Sequence, residues 1–249
     1  MTLLVTGASR GVGAALAVLA VLAAERGHDV VLNYASDGQA AEEVAAAVRT
    51  HGRQALTVRA DVASAEDVAE LFDAAAELGP LTGVVNNAAV TGNTPGRLDE
   101  QSPEVVRRVL DVNVAGVIFS CQEAVRRMST RYGGSGGVIV NVSSTAARTG
   151  SPGEWTHYAA SKAAVETLTV GLANEVAREG IRVNAVAPGL VDTGLHAAAG
   201  LPDRITRLAP TIPLGRAGQP GEIAEAVLWL LSPAASYVTG AVLTVGGGR

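Results

Sequence analysis

Short runs rich in Val and Leu recur along the chain, separated by segments of helical periodicity. The apolar runs predict strands at Leu3–Thr6, Asp29–Tyr34, Ala55–Ala60, Gly83–Asn86, Val138–Val142, Arg182–Ala187 and Val242–Val245. The patterns between them predict helices near 12–26, 38–51, 65–78, 103–131, 156–179 and 220–231. The strands lack alternation of apolar and polar residues, as expected when helices cover both faces of a sheet. A strand–helix–strand series of this kind implies an α/β fold, a parallel doubly wound sheet of about seven strands joined by right-handed crossovers. No linker, low-complexity tract or domain-length repeat interrupts the series, so one domain over 1–249 is expected. A local repeat, Ala17-Val18-Leu19 then Ala20-Val21-Leu22, lies in the first helical segment and reads as packing against the sheet.

Composition narrows the function classes. The chain is 48% hydrophobic and 17% charged, with 29 Gly and 10 Pro, which suits a large core and many tight connections. The net charge is −5 and the basic residues are scattered. Nucleic-acid and membrane surfaces need clustered Lys and Arg, so neither partner is expected. Cys121 is the single cysteine, which leaves no internal disulfide. No Cys/His cluster has metal-ligand spacing; no metal and a reducing cytoplasm are expected. The apolar run Ala14–Ala24 follows Arg10 in the manner of a signal-peptide core. It is too short to span a bilayer as a helix, and the glycine pattern before it explains it better.

That pattern is Thr6-Gly7-Ala8-Ser9-Arg10-Gly11-Val12-Gly13, placed after the first strand and opening the first helix. Glycines there permit a tight turn and let backbone N–H groups approach a pyrophosphate seated on the positive helix end. No Gly-Lys-Ser/Thr follows, which excludes a Walker loop. A Rossmann-type dinucleotide site is the reading, with Gly7, Ser9, Arg10, Gly11, Val12 and Gly13 around the phosphates. In that pattern an acid at the end of the second strand takes the ribose 2′-hydroxyl. Here the strand ends Asn33-Tyr34-Ala35-Ser36; Asp29 sits at its wrong end and Asp37 beyond it. NADP(H) is therefore expected over NAD(H), which stays possible, with Arg10 and the Ser36 hydroxyl toward the 2′-phosphate. Asp61-Val62 follows the third strand, where the carboxylate either meets the adenine amino group or caps the helix starting near Ser64. Asn86-Asn87-Ala88-Ala89 is small and polar where backbone must pass close to the cofactor.

Tyr158 and Lys162 lie four apart in a helical pattern and so share a face. A free phenol titrates near ~10, too high for acid–base work at neutral pH. A nearby ammonium favours phenolate, and moving the pKa by two to three units takes roughly 3–4 kcal/mol. Upstream, Val138–Val142 is a buried strand ending in Ser143-Ser144, and a serine there can hydrogen-bond a substrate oxygen.

With these motifs in order over essentially the whole chain, the sequence resembles the short-chain dehydrogenase/reductase family. Its nearest likenesses are 3-oxoacyl-carrier-protein reductases and glucose-dehydrogenase-like members. The family's Asn-Asn-Ala-Gly motif appears with Ala89 in place of Gly. The resemblance implies a catalytic set of Asn113, Ser144, Tyr158 and Lys162. Ser144 and Tyr158 bind the carbonyl oxygen, and Tyr158 exchanges the proton. Lys162 lowers its pKa and binds the ribose, and Asn113 holds a relay water through side chain or backbone. It also implies that Pro188, Gly189, Val191 and Thr193 hold the nicotinamide carboxamide. The activity implied is hydride transfer between nicotinamide and a carbonyl or secondary alcohol, with a small-molecule substrate and a homotetramer as the assembly.

The substrate is expected to lie against Gly150–His157 and Gly194–Pro213, which offer Trp155, His157, Leu195 and His196. Either histidine could touch substrate, but each reads first as a solvated loop residue. The Gly- and Pro-bounded segment 194–213, with its Ala-rich stretch, reads as a lid. A carrier-bound acyl substrate would call for basic residues at the pocket entrance, for which Arg126, Arg127 and Arg131 are the candidates. Asn174 stands where such reductases often carry Arg, so a small or medium carbonyl compound ranks first. A non-catalytic dinucleotide-binding regulator is the alternative from another class, and retention of both Tyr158 and Lys162 argues against it.

Overall fold

The computed structural model describes every residue except 8–12, 93–94 and 194–199, and every side chain but those and 13–16. Seven parallel strands form one sheet: β1 Thr2–Val5, β2 Asp29–Tyr34, β3 Ala55–Arg59, β4 Leu81–Asn86, β5 Gly137–Val142, β6 Ile181–Pro188 and β7 Val242–Val245. Their order is β3-β2-β1-β4-β5-β6-β7. The direction of winding reverses between β1 and β4, so the loops leaving those two strands diverge. Such a point opens a crevice at the carboxyl ends of the strands.

The helices are α1 Gly13–Glu25, α2 Gly38–Thr50, α3 Ala65–Glu77, α4 Pro103–Leu110, α5 Gly116–Met128, α6 Ala146–Thr149, α7 Thr156–Val176, α8 Arg204–Leu208 and α9 Pro220–Leu231. One core layer packs Leu3, Val5, Val30, Leu32, Val138 and Val140 beneath α1, α2 and α9. The opposite layer packs Leu4, Val31, Val84, Ile139 and Val183 against α3, α5 and α7. Neighbours along one strand thus enter opposite layers, and both are apolar, which explains the missing alternation. Each fully buried Val or Leu contributes roughly 1.5–3 kcal/mol. In α1, Leu19, Ala20, Ala23 and Ala24 are buried while Val18 and Leu22 pack at the margin, because the helix is covered by the sheet and by α9.

Local chemistry sets the helix starts. Ser64 accepts from Asp67 N at 3.1 Å, Asp37 from Ala40 N at 3.1 Å, and Ser102 from Val105 N ahead of Pro103. The expected continuous helix over 103–131 is divided. A wide π turn, Asp111–Ala115, separates α4 from α5, and a 3₁₀ turn at Thr130–Tyr132 follows. At the join a Cβ on Gly116 would lie 2.8 Å from the Val62 carbonyl, so the chain runs directly over the loop after β3. Among the described residues, no helix is long and apolar enough to cross a membrane, and no cluster of His, Cys, Asp or Glu could hold a metal.

Candidate active site

The loops after β1 and β4 are fastened together. The Thr6 hydroxyl accepts from Asn87 N and Ala88 N, both at 3.1 Å, and Asn87 Nδ2 donates to Thr6 O. Gly7 has φ +76°, and a Cβ there would lie 2.6 Å from Ala88 Cα, so only glycine fits. Gly13 opens α1; Ser9, Arg10, Gly11 and Val12 lie outside the described residues. Asn33 is buried, accepting from Gly7 N at 3.2 Å and donating to Ala60 O at 2.9 Å, so it ties β2 to the loops on either side. A cavity of about 190 Å³ runs over these strand ends, lined by Gly7, Asn33, Ser36, Asp61, Val62, Asn87, Ala88, Ala89 and Tyr158.

Tyr34 does not line this cavity; its ring lies over Gly38, where a Cβ would sit 3.1 Å away. Asp61 pairs with Arg108 at 3.0 Å and accepts from Ala63 N, while the cap of α3 is Ser64. Arg59, at the end of β3, donates toward Ala35 O at 3.4 Å and stands beside the β2 end of the cavity. Sequence reading passed over Arg59 because its pairing opposite Tyr34 is a matter of strand register.

A second cavity of about 110 Å³ adjoins the first, sharing Asn87, Ala89, Thr91 and Tyr158. β5 and α7 supply its chemistry. The two serines after β5 face differently. Ser143 Oγ donates to Glu166 at 3.0 Å with the Lys162 carbonyl 3.3 Å away, whereas Ser144 hydrogen-bonds the Tyr158 hydroxyl and accepts from Ala146 N at 3.1 Å. Lys162 is one turn from Tyr158, its Nζ 5.7 Å from the ring centre and donating to Val142 O at 2.7 Å. Its ammonium is buried, which pushes its pKa down to about 8. Burial raises the Tyr158 phenol, and the Ser144 hydrogen bond and the charge of Arg204 pull it back. The pull of Arg204 is one that the sequence did not announce.

Asn113 sits in the π turn, fully buried. Its amide donates to Val90 O and Ser161 Oγ and accepts from Val90 N, at 2.8 to 3.0 Å. Ser161 Oγ in turn donates to Tyr158 O at 2.7 Å. His157, expected as a solvated loop residue, is instead 5% exposed on α7, its Nε2 donating to Thr91 O at 3.0 Å. It faces inward because this side of α7 lies against the loop after β4, whose Thr91 carbonyl takes its N–H.

The far wall comes from β6 and the segment after it. Pro188, Gly189, Val191 and Thr193 line the second cavity. A Cβ on Gly189 would lie 2.7 Å from Gly246 Cα, so glycine lets β6 and the segment after β7 touch. Leu195 and His196 lie outside the described residues. In the part of the expected lid that is described, Arg204 is ion-paired with Glu154 at 2.7 Å and stacked 5.2 Å over the buried ring of Trp155. Ile212 is 3% exposed beside Leu190 and Ala217. This segment therefore has the large anchoring side chains that its Ala-rich beginning did not announce. Arg204, Glu154 and Thr91 went unmarked because nothing in local sequence says which distant loop they meet.

Two adjoining cavities at the switch point share Tyr158, and the smaller also takes in Ser144 and the buried Lys162, which makes a dinucleotide-dependent oxidoreductase site. Comparison with known proteins agrees. A family model described as enoyl-(acyl-carrier-protein) reductase matches residues 7–249. An uncharacterized oxidoreductase of Escherichia coli (strain K12), YgfF, is 46% identical over 247 residues, covering 99% of this chain and 98% of that protein. The cis-4-hydroxycyclohexanecarboxylate dehydrogenase of Sinomonas cyclohexanicum is 44% identical over 246 residues, covering 98% and 94%. A short-chain dehydrogenase from Burkholderia cenocepacia J2315, solved in complex with NADP, superimposes with a TM-score of 0.87 at 33% identity, covering 99% and 96%. The chain belongs to the short-chain dehydrogenase/reductase family. It is a nicotinamide-dinucleotide-dependent oxidoreductase that interconverts carbonyl and alcohol.

Proposed function

We propose that this chain is an NADP(H)-preferring enzyme for small or medium carbonyl compounds and the matching secondary alcohols, folded as one domain and working as a cytoplasmic homotetramer. The observation that carries the reading is the grouping of Ser144, Tyr158 and Lys162 around the second cavity, with Tyr158 shared by both cavities. The larger cavity fits a dinucleotide, since Gly7 brings the β1 and β4 loops into contact and Ser36, Asp61 and Val62 line its far end. Gly7, Ser9 to Gly13, Asn33 and the Asn87–Ala89 backbone would hold its phosphates and ribose. Lys162 would hold the second ribose, and Pro188, Gly189, Val191 and Thr193 the nicotinamide, which supplies or accepts the hydride.

The chain's own work is on the oxygen and its proton. Ser144 and Tyr158 donate to the substrate oxygen and stabilise charge developing on it. Tyr158 releases its proton in reduction and takes one up in oxidation. Both amide protons of Asn113 are used on Val90 and Ser161, which leaves its backbone carbonyl as the group for a relay water. Asn113 also holds the loop after β4 against the helix that carries Tyr158.

Cofactor preference rests on charge. No carboxylate ends β2, Asp37 is committed to capping α2, and Arg59 stands nearby, with Arg10 as a second cation. A carrier-bound substrate is less well supported. Arg126 and Arg127 pair with Glu123, Arg127 also with Asp73, and Arg131 pairs with Glu179, just ahead of β6. They therefore sit at the edge of the sheet opposite the cavities, where helices end and strands begin.

Oxidation and reduction assays with NADP(H) and NAD(H) test the reading, using cyclic and linear ketones, aldehydes, sugars and 3-oxoacyl thioesters. Turnover of small ketones with NADPH is expected. Silence across the panel with intact NADPH binding would move the reading to a regulator, and turnover of carrier thioesters alone to a carrier reductase.

A further inference from the structure

The Arg204–Glu154 pair stands at a partition. Arg204 lines the 110 Å³ cavity together with Ser144 and Tyr158, and Glu154 does not. Both also border a further cavity, which takes in Ser144, Thr145 and Thr149. The guanidinium donates Nη2 to Glu154 at 2.7 Å and Nε at 3.2 Å, and lies 5.2 Å over Trp155, three residues before Tyr158. The guanidinium thus shares the phenol's cavity, while its counter-ion stays outside that cavity's lining.

We infer that Arg204 is a positioning residue for proton transfer at Tyr158, a permanent positive charge that shares the phenol's cavity while its counter-ion stays outside that cavity's lining. This rests on the reading of Tyr158 as the proton-transfer group. The other charged groups around the phenol are paired, held elsewhere or lose their charge as pH rises. Lys162, on the same helix, turns its ammonium to the Val142 carbonyl, and its pKa of about 8 means the charge fades as pH rises. Glu166, one turn further along, is held by Ser143 at 3.0 Å. Across the larger cavity, Asp61 and Arg108 neutralise each other at 3.0 Å. His157 is bound to Thr91 O, and Arg207 lies with Glu154 at 3.4 Å. A guanidinium keeps its charge at every pH the enzyme meets, and Arg204 draws the Tyr158 pKa downward.

The test is the pH profile of kcat/KM for oxidation of a secondary alcohol, cyclohexanol, with NADP⁺ in wild type, R204Q, R204K and E154Q. Oxidation needs phenolate, so the rate rises with pH through the phenol's titration. The rising limb should shift to higher pH in R204Q, stay in place in R204K, and shift to lower pH in E154Q, where Arg204 loses its counter-ion. Mere breakage of the ion pair would move R204Q and E154Q in the same direction. That result, or an unmoved limb in R204Q, overturns the inference. Tyrosine ¹³Cζ NMR titration, assigned with Y158F, reads the same shifts if cyclohexanol is not turned over. If R204Q does not fold, an unmoved limb in E154Q overturns the inference. Full turnover by Y158F would instead overturn the reading of Tyr158 on which it rests.

Discussion

Replacing Lys162 with Met should remove activity and raise stability, and the structure gives the size of the gain. The lysine is 2% exposed and, among the described residues, its ammonium has one hydrogen-bond acceptor, Val142 O at 2.7 Å. Burial takes its pKa from an ordinary 10.5 to about 8, so carrying the charge in the fold costs roughly 3 kcal/mol. The unfolded chain binds this proton more tightly than the folded one. The penalty is therefore present in full below about pH 8, shrinks as pH rises, and is gone above about 10.5. Met fills a similar volume without charge but leaves the Val142 carbonyl without its donor, a loss of about 1–3 kcal/mol. A net gain of about 1 kcal/mol at pH 7 results, a rise in Tm of roughly 2–4 °C for a chain of this size. The stronger signature is the pH dependence. Between pH 7 and 9.5 wild type should recover about 2 kcal/mol relative to K162M. Urea unfolding without cofactor, at equal chain concentration, measures both quantities. A gap between the two proteins that stays constant from pH 7 to 9.5 would refute the reasoning, because nothing but the lysine's titration changes it.

The other expectations are simpler to state. Tyr158→Phe should lose far more than ten-fold in turnover, beyond roughly 1.4 kcal/mol of barrier, while binding NADPH nearly as well by fluorescence titration. Ser144→Ala should lose activity where Ser143→Ala keeps most of it; the reverse order would transfer the substrate contact to Ser143. Gly7→Ala should weaken NADPH binding and destabilise the fold by more than about 1 kcal/mol, since a Cβ there would meet Ala88 Cα at 2.6 Å; an unchanged Tm and Kd would contradict the close approach of the two loops. Arg59→Ala, and separately Arg10→Ala, should weaken NADP(H) roughly ten-fold or more and leave NAD(H) nearly unchanged. Comparing kcat/KM for the two cofactors checks this, and a wild-type preference for NAD(H) would reverse the reading of the β2 end.

What the sequence determined by itself was everything carried by a local period or a fixed spacing. The seven apolar runs fell on the seven strands, with β2 and β7 matched at both ends, because a strand buried on both faces has to be a short unbroken apolar run. The turn at Gly7, the Ser143-Ser144 strand end and the Tyr158–Lys162 spacing were legible because helix and strand geometry fix where such neighbours point. Short elements such as Ala146–Thr149 and Arg204–Leu208 hold too few residues to show a period, and the π turn at Asp111–Ala115, where Asn113 bonds the Val90 backbone, carries no local mark of its own. Only the tertiary structure decided that His157 is buried and that Lys162 spends its proton on Val142 O. The pairing of Glu154 with Arg204, fifty positions apart, was equally out of reach. Such contacts depend on how loops from separate strands converge at one edge of the sheet. Electrostatics at that edge follows distance in space, and distance in space is what a sequence read along its length does not hold.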